Sequence, residues 1–330
     1  MNSEAVRFWI LPVLLLLSIL VIILGAIFGA VSLSWDSLVD SHSAHYHIFW
    51  QLRVPRVLVA FLAGAGLATA GMVFQVVFLN PLATPYTLGV SSGASFGAAL
   101  VICLGAIPSW WGQGGTTAGA IFGGGLTVAL VLWFGKTKLG HQRHAMLLAG
   151  VAISFFFSSL LLLTQYLANF YQSFQIIRWL MGGISVAGYR EVIFLFPVVG
   201  GCFIWIWSKR HSLDLLLLGD DLAHSRGLEV GRTKTTFIIF VSVMVAVIVS
   251  ITGPIGFIGM VVPHICRLLL GNRHKITILA AGLTGGTVLV LCDLLARLIL
   301  APNEMPVGIL TSLIGAPIFF LLLMRNRYRF

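Results

Sequence analysis

The sequence predicts an all-α polytopic membrane protein with about ten transmembrane helices and both termini in the cytoplasm. Three observations lead there. Of 330 residues, 58% are hydrophobic and only 9% charged, well above the roughly 45–50% apolar share of soluble domains. The apolar residues come in runs close to the ~20 residues that cross a bilayer, leaving no room for a sizeable aqueous domain. The 20 Lys and Arg against 10 acids would raise nucleic acid as a partner in a soluble chain, but in a membrane chain such an excess reports orientation, so no nucleic acid is expected.

Taken in chain order, the first helix is expected at 8–31. It is too long and uninterrupted for a cleaved signal, whose apolar core runs about 7–15 residues. From Val57 to Gly135 there is no charged residue, so crossings in that interval must be separated by Pro and Gly. Asn80-Pro81 and the stretch Pro108 to Gly115 supply that punctuation and set helices at 57–78, 91–107 and 116–134. Further helices follow at 144–167, 191–208, 235–252, 257–270, 276–299 and 305–324. Phe257 to Leu270 is short and follows Gly253-Pro254-Ile255-Gly256, so a re-entrant segment is the rival reading. Charge favours a crossing. With ten spans and an inside N-terminus, only Arg53, Arg56, Arg178, Arg190 and Arg297 of the 20 basic residues lie outside; a re-entrant segment would move Lys275 and the basic C-terminus outward, against the positive-inside tendency.

Two connections exceed the usual loop length. The outer one, 168–190, holds helical spacing from Gln172 to Met181 and a stop at Gly182-Gly183, which suggests a short interfacial helix. The inner one, 209–234, is the only long hydrophilic stretch. Asp214 to Leu218 and Asp220 to Arg226 read there as two short helices, with Gly219 and Gly227 as stops.

Catalytic and metal chemistry find little support. Gly135-Lys136-Thr137 resembles the tail of a phosphate loop, but the required earlier glycine is absent because position 130 is Leu130, so the chain is not expected to bind ATP. Asp220-Asp221 has no second carboxylate pair within reach, since the next acid is Glu229. No nucleophile set appears, and the expectation is a transport subunit rather than an enzyme. Cys103, Cys202, Cys266 and Cys292 lie in apolar runs without metal spacing. His42, His45 and His47 share the first outer loop; exposed loop histidines are the commoner case, and no fourth ligand is in view for a metal. Asp293 is the one acid deep in a helix, with Arg297 one turn later, which reads as a local ion pair with a proton relay as the sharper alternative. Gly25 with Gly29 and Gly119 with Gly123 fit close helix packing, although 36 glycines make such pairs common by chance.

Several segments together resemble a known family. Arg53-Val54-Pro55-Arg56, Gly64 to Gln75, Asn80-Pro81-Leu82-Ala83-Thr84-Pro85 and Leu88-Gly89-Val90-Ser91-Ser92-Gly93-Ala94 look like the second and third helices of the iron-siderophore and vitamin B12 permease family. Leu147 to Ala152, Trp179-Leu180-Met181-Gly182-Gly183, Gly253 to Gly259, Pro263-His264-Ile265-Cys266-Arg267, and Pro306-Val307-Gly308 through Gly315-Ala316-Pro317 follow in the family's order. The set is highly specific, whereas each alone is weak.

The resemblance implies a single permease domain over 1–330 in the bacterial inner membrane, the membrane subunit of a binding-protein-dependent ABC importer. It implies a homodimer or heterodimer of permeases, two cytoplasmic ATPase subunits holding ATP and magnesium, and an extracytoplasmic binding protein. It makes 209–234 the coupling loop, with Leu215, Leu216, Leu217, Leu218, Gly219, Asp220, Asp221, Ala223, Arg226 and Gly227 docked on the ATPase. The helix 144–167 would line the pathway, with Ser154, Ser158, Ser159 and Thr164 as wall candidates. Arg53, Arg56 and Arg297 would receive acidic residues of the binding protein. A ferric siderophore is the first expected cargo, with haem or cobalamin next.

Overall fold

A computed structural model of the chain describes residues 3–29, 43–105, 114–135 and 143–325. Every regular element among the described residues is helical. In order they are α1 (Ser3–Ile27), α2 (Ala44–His47), a π-helical stretch (Ile48–Arg53), α3 (Val54–Val77), a 3₁₀ turn (Pro85–Leu88), α4 (Val90–Leu104), α5 (Gly114–Gly135), α6 (Arg143–Leu167) and α7 (Phe170–Leu180). Then come α8 (Arg190–Ser208), α9 (Arg210–Leu216), α10 (Asp220–Ser225), α11 (Val230–Thr252), α12 (Ile258–Leu270), α13 (His274–Leu298) and α14 (Val307–Arg325). Among the described residues, seven helices are long and apolar enough to cross a bilayer, and Val90–Leu104, Ile258–Leu270 and Val307–Leu322 are shorter apolar helices.

The largest departure from expectation concerns the second helix, which begins at Ala44 rather than 57. The segment Ala44–Val77 runs on as 34 residues of continuous helix, started by Ser43, whose hydroxyl accepts from the Tyr46 N–H at 3.1 Å. The π-helical stretch stands immediately ahead of Pro55, whose missing N–H interrupts the ordinary ladder. Arg53 and Arg56 are therefore inside a helix, not at its edge, and His45 and His47 lie on its first turn. His42 falls outside the described residues, as does Lys136. No group of three metal-type side chains forms among the described residues.

The described residues group into two compact units. The first comprises Met1–Thr69, Gly182–Val199 and Ile255–Phe330. In it α1 packs along α13, with a 2.8 Å hydrogen bond between the buried hydroxyls of Ser18 and Thr287. Gly64 of α3 meets Gly285 of α13 backbone to backbone, at a distance no side chain would permit. Phe257, at φ +67°, introduces α12 and rests on Gly315 of α14.

The second unit comprises Ala70–Met181 and Gly200–Pro254. Its core is the α4–α5 contact. Gly93 and Gly97 of α4 interlock with Gly119 and Gly123 of α5, each lying against a backbone carbonyl of the other helix. The sequence left Gly119 and Gly123 between close packing and chance; the structure uses both in packing, because small residues let helices approach where lipid supplies no hydrophobic drive. On α8, the ring of Trp205 stacks on Phe240 of α11 at 4.2 Å between centroids and meets Phe237 edge-on.

Candidate functional site

Three surfaces follow from this arrangement. The first is the connection between α8 and α11. Its helices are α9 and α10, so the first begins four residues before the expected Asp214 and ends before Leu217. Gly219 adopts φ +99°, ψ 160° as it leads into α10, a conformation open essentially to glycine. Gly227 closes α10 at φ +83°, with its N–H donating to the His224 carbonyl at 2.9 Å and the Leu228 N–H to the Ala223 carbonyl at 3.1 Å. That pair of bonds is a Schellman stop. A 2.8 Å ion pair from Lys234 Nζ to Asp220 Oδ2 ties α10 to α11, and the Arg210 guanidinium lies 4.4 Å over the Trp207 ring.

Burial sorts the residues of this connection. Leu213, Leu216 and Ala223 are buried in the unit, so Leu216 and Ala223 hold the loop's shape rather than present a surface. Leu218 and Leu222 are 50% and 56% exposed, flanked by exposed Asp221, Arg226 and Gly227. Leu215, Leu217, Gly219 and Asp220 are half-buried. Leu222 was not among the expected residues; its signal was an apolar side chain inside an otherwise polar helix.

The second surface is α6 with α7. Leu148, Ala152, Phe155, Ser159, Leu162 and Tyr166 are all exposed at the spacing of one helical face. Apart from Ser159 this exposed face is aromatic and aliphatic. Ser154 donates to the Gly150 carbonyl at 2.8 Å and lies against Gly89, and Thr164 is buried and donates to Leu160 at 2.9 Å. Ser158 is half-buried, and only Ser159 joins the open face, donating to Phe155 at 2.9 Å. Such bonds to the carbonyl four residues back satisfy a hydroxyl without any partner beyond its own helix. Asn169 and Gln172 cap α7 reciprocally, Gln172 Nε2 donates to the Cys103 carbonyl at 2.9 Å, and Ile176 packs on Ala99 and Ile102.

The third surface is an ionic cluster where α1, α3 and α13 meet. Asp293 is fully buried between two arginines: Arg56 Nε donates to Oδ1 at 2.9 Å and Arg297 Nε lies 3.0 Å from Oδ2. Arg297 also donates to the Gly25 and Phe28 carbonyls at 2.9 and 3.2 Å. Arg53 donates to the Ile27 carbonyl, and its guanidinium occupies the space a Cβ on Gly29 would need. The last carbonyls of a helix lack intrahelical partners and carry its negative pole, so these two cations cap α1. Arg53 and Arg297 are only 6% and 3% exposed. Arg56 reaches further out, with Nη1 donating to Glu304 Oε2 at 2.6 Å. Of the three arginines expected to face a partner, two are thus turned inward and Arg56 alone is paired to a solvent-facing acid.

The long apolar helices among the described residues define a polytopic membrane protein. The chain belongs to the FecCD transport family, whose family model matches residues 14–325, and is a multi-pass protein of the inner membrane. It is 35% identical to the hemin transport system permease protein HmuU of Yersinia pestis, over 99% of this chain and 98% of that one. It is 36% identical to the vitamin B12 import system permease protein BtuC of Salmonella typhi, over 95% of each. Among solved structures, a metal-chelate type ABC transporter in an inward-facing conformation superposes with a TM-score of 0.87 at 33% identity, covering 96% of this chain and 99% of that one.

Proposed function

We propose that this chain is the permease subunit of a binding-protein-dependent ABC importer for a metal chelate, and that it works as a pair of permeases with two cytoplasmic ATPases. The observation that carries the reading is the α9–α10 connection. Two short helices, fixed by the Gly227 stop and the Asp220–Lys234 pair, hold Leu218 and Leu222 out from the unit, and an exposed apolar pair on a stiff support suits a groove in a partner that must deliver a displacement. The reading takes ten crossings, with Ile258–Leu270 counted as one, and so a cytoplasmic side for this connection and both termini; the positive-inside tendency supports it.

The open face of α6 then lines the conduit with its mate from the second permease, and α7 shapes the outer mouth. A wall of Phe155, Leu162 and Tyr166 offers area without strong ligands, which suits a bulky chelate that must pass without being held. A ferric siderophore is the first candidate by motif resemblance; haem or cobalamin is the second, favoured by relatives named for hemin and vitamin B12 at 35% and 36% identity. The outer partner docks at Arg56, with Arg53 and Arg297 supporting it from below. Uptake by proteoliposomes holding the permease with its ATPase and binding protein tests the reading, with ferric hydroxamate, haem and cobalamin offered separately. ATP-dependent accumulation of one of them is expected, and accumulation of none would overturn the assignment.

A further inference from the structure

Arg56 is gripped from two sides, and the grips differ in kind. From within, Asp293 is 0% exposed, accepts from Nε at 2.9 Å and is itself braced by Arg297. From without, Glu304 accepts from Nη1 at 2.6 Å with a side chain 47% exposed. Glu304 stands on the non-helical stretch between α13 and α14, where no helix fixes its direction. The inner acid cannot leave without stranding the buried Arg297 and leaving Arg56 to Glu304 alone, whereas the outer acid is half-exposed, on the side of Arg56 where water or another carboxylate can replace it.

We propose that Glu304 is a built-in stand-in for an acidic residue of the extracytoplasmic binding protein. In the undocked permease it covers the outward half of Arg56; on docking it swings into water and a carboxylate of the partner takes its place, while Asp293 keeps the guanidinium aimed. This rests on the docking of the binding protein at Arg56 proposed above.

The charge balance of the cluster argues for the exchange. Counted with Arg53, which is bonded to the Ile27 carbonyl, the cluster sets three arginines against Asp293 and Glu304, a single net positive charge with Glu304 in place and two once it has left. A planar guanidinium held at Nε still presents its Nη groups outward, the geometry that accepts a carboxylate bidentately. The stand-in also sets selectivity: a partner must offer an acid placed to compete with Glu304, and a neutral surface gains nothing by displacing it.

The experiment measures association of the chelate-loaded binding protein with the permease–ATPase complex in nanodiscs across a salt series. Glu304→Gln and Glu304→Ala, both at a half-exposed position, should each raise the association rate at low salt by roughly three- to tenfold and steepen its salt dependence. Arg56→Glu should abolish that dependence. If both Glu304 variants associate at the wild-type rate or more slowly while Arg56→Glu impairs docking, the exchange is wrong and the docking site stands. If Arg56→Glu docks like the wild type, the docking site itself is wrong.

Discussion

Arg56 and Asp293 lie 237 positions apart and meet at 2.9 Å, a contact that makes one body of α3 and α13. Arg297 joins from the next turn of α13 and reaches across to the end of α1. The local pair expected at Asp293 and Arg297 is therefore one edge of a three-helix network, in which two guanidinium groups flank a fully buried carboxylate.

Removing that carboxylate should be costly. Asp293→Ala leaves the buried Arg297 without a carboxylate and Arg56 with Glu304 alone, and should cost about 3–5 kcal/mol, read as a fall in the thermal unfolding midpoint in detergent. Adding Arg297→Met should recover part of the loss, since a double mutant of coupled groups is not additive. Equal or greater loss in the double variant would dissolve the network argument.

Between α4 and α5 the test is steric. Gly97→Val has no space against the Gly119 carbonyl and should prevent accumulation of folded protein, whereas Gly125→Ala, with nothing within 4 Å of the added methyl, should change stability by no more than about 0.5 kcal/mol. Yield and monodispersity on size exclusion give the comparison directly.

The α9–α10 connection separates shape from contact. Leu222→Glu alters an exposed side chain and should cut ATPase co-purification by about tenfold or more while the permease folds normally. Gly227→Pro removes both the positive φ and the N–H bonded to His224, and should abolish uptake with membrane insertion intact. Leu216→Glu or a bulky charge at Ala223 should instead reduce the amount of folded protein, because both positions are buried. Retention of the ATPase by Leu222→Glu would take the apolar tip out of coupling.

Orientation is tested at the chain's end. With the basic Arg325, Arg327 and Arg329 inside, a phosphatase reporter fused after Phe330 should be inactive and a cytoplasmic fluorescent reporter bright. The opposite pattern would break the ten-crossing account.

Much of this was legible in residue order, because it follows from period and punctuation. The long apolar runs became helices within a few residues, Gly219 and Gly227 stop where backbone freedom is needed, and Asn169 with Gln172 starts α7 one turn from its expected place. The start of the second helix was hidden because Gln51, Arg53 and Arg56 interrupt the apolar pattern, and only the fold shows that Arg53 spends its charge on α1 and Arg56 on α13. The bonding of the α6 hydroxyls was hidden for a related reason: composition says Ser and Thr are present, but not that Ser154 and Thr164 are satisfied by their own helix. Glu304 carried no local signal, since its partner is 248 residues away.

In the proposed function, a chelate moves only when a separate ATPase hydrolyses ATP against the α9–α10 connection. The most direct measurement is chelate uptake by proteoliposomes loaded with ATP and a regenerating system, with and without an uncoupler, in wild type and Leu222→Glu. Uptake that persists with the uncoupler, requires ATP and is lost in Leu222→Glu is the predicted result. Uptake that collapses with the proton gradient and proceeds without ATP would contradict it.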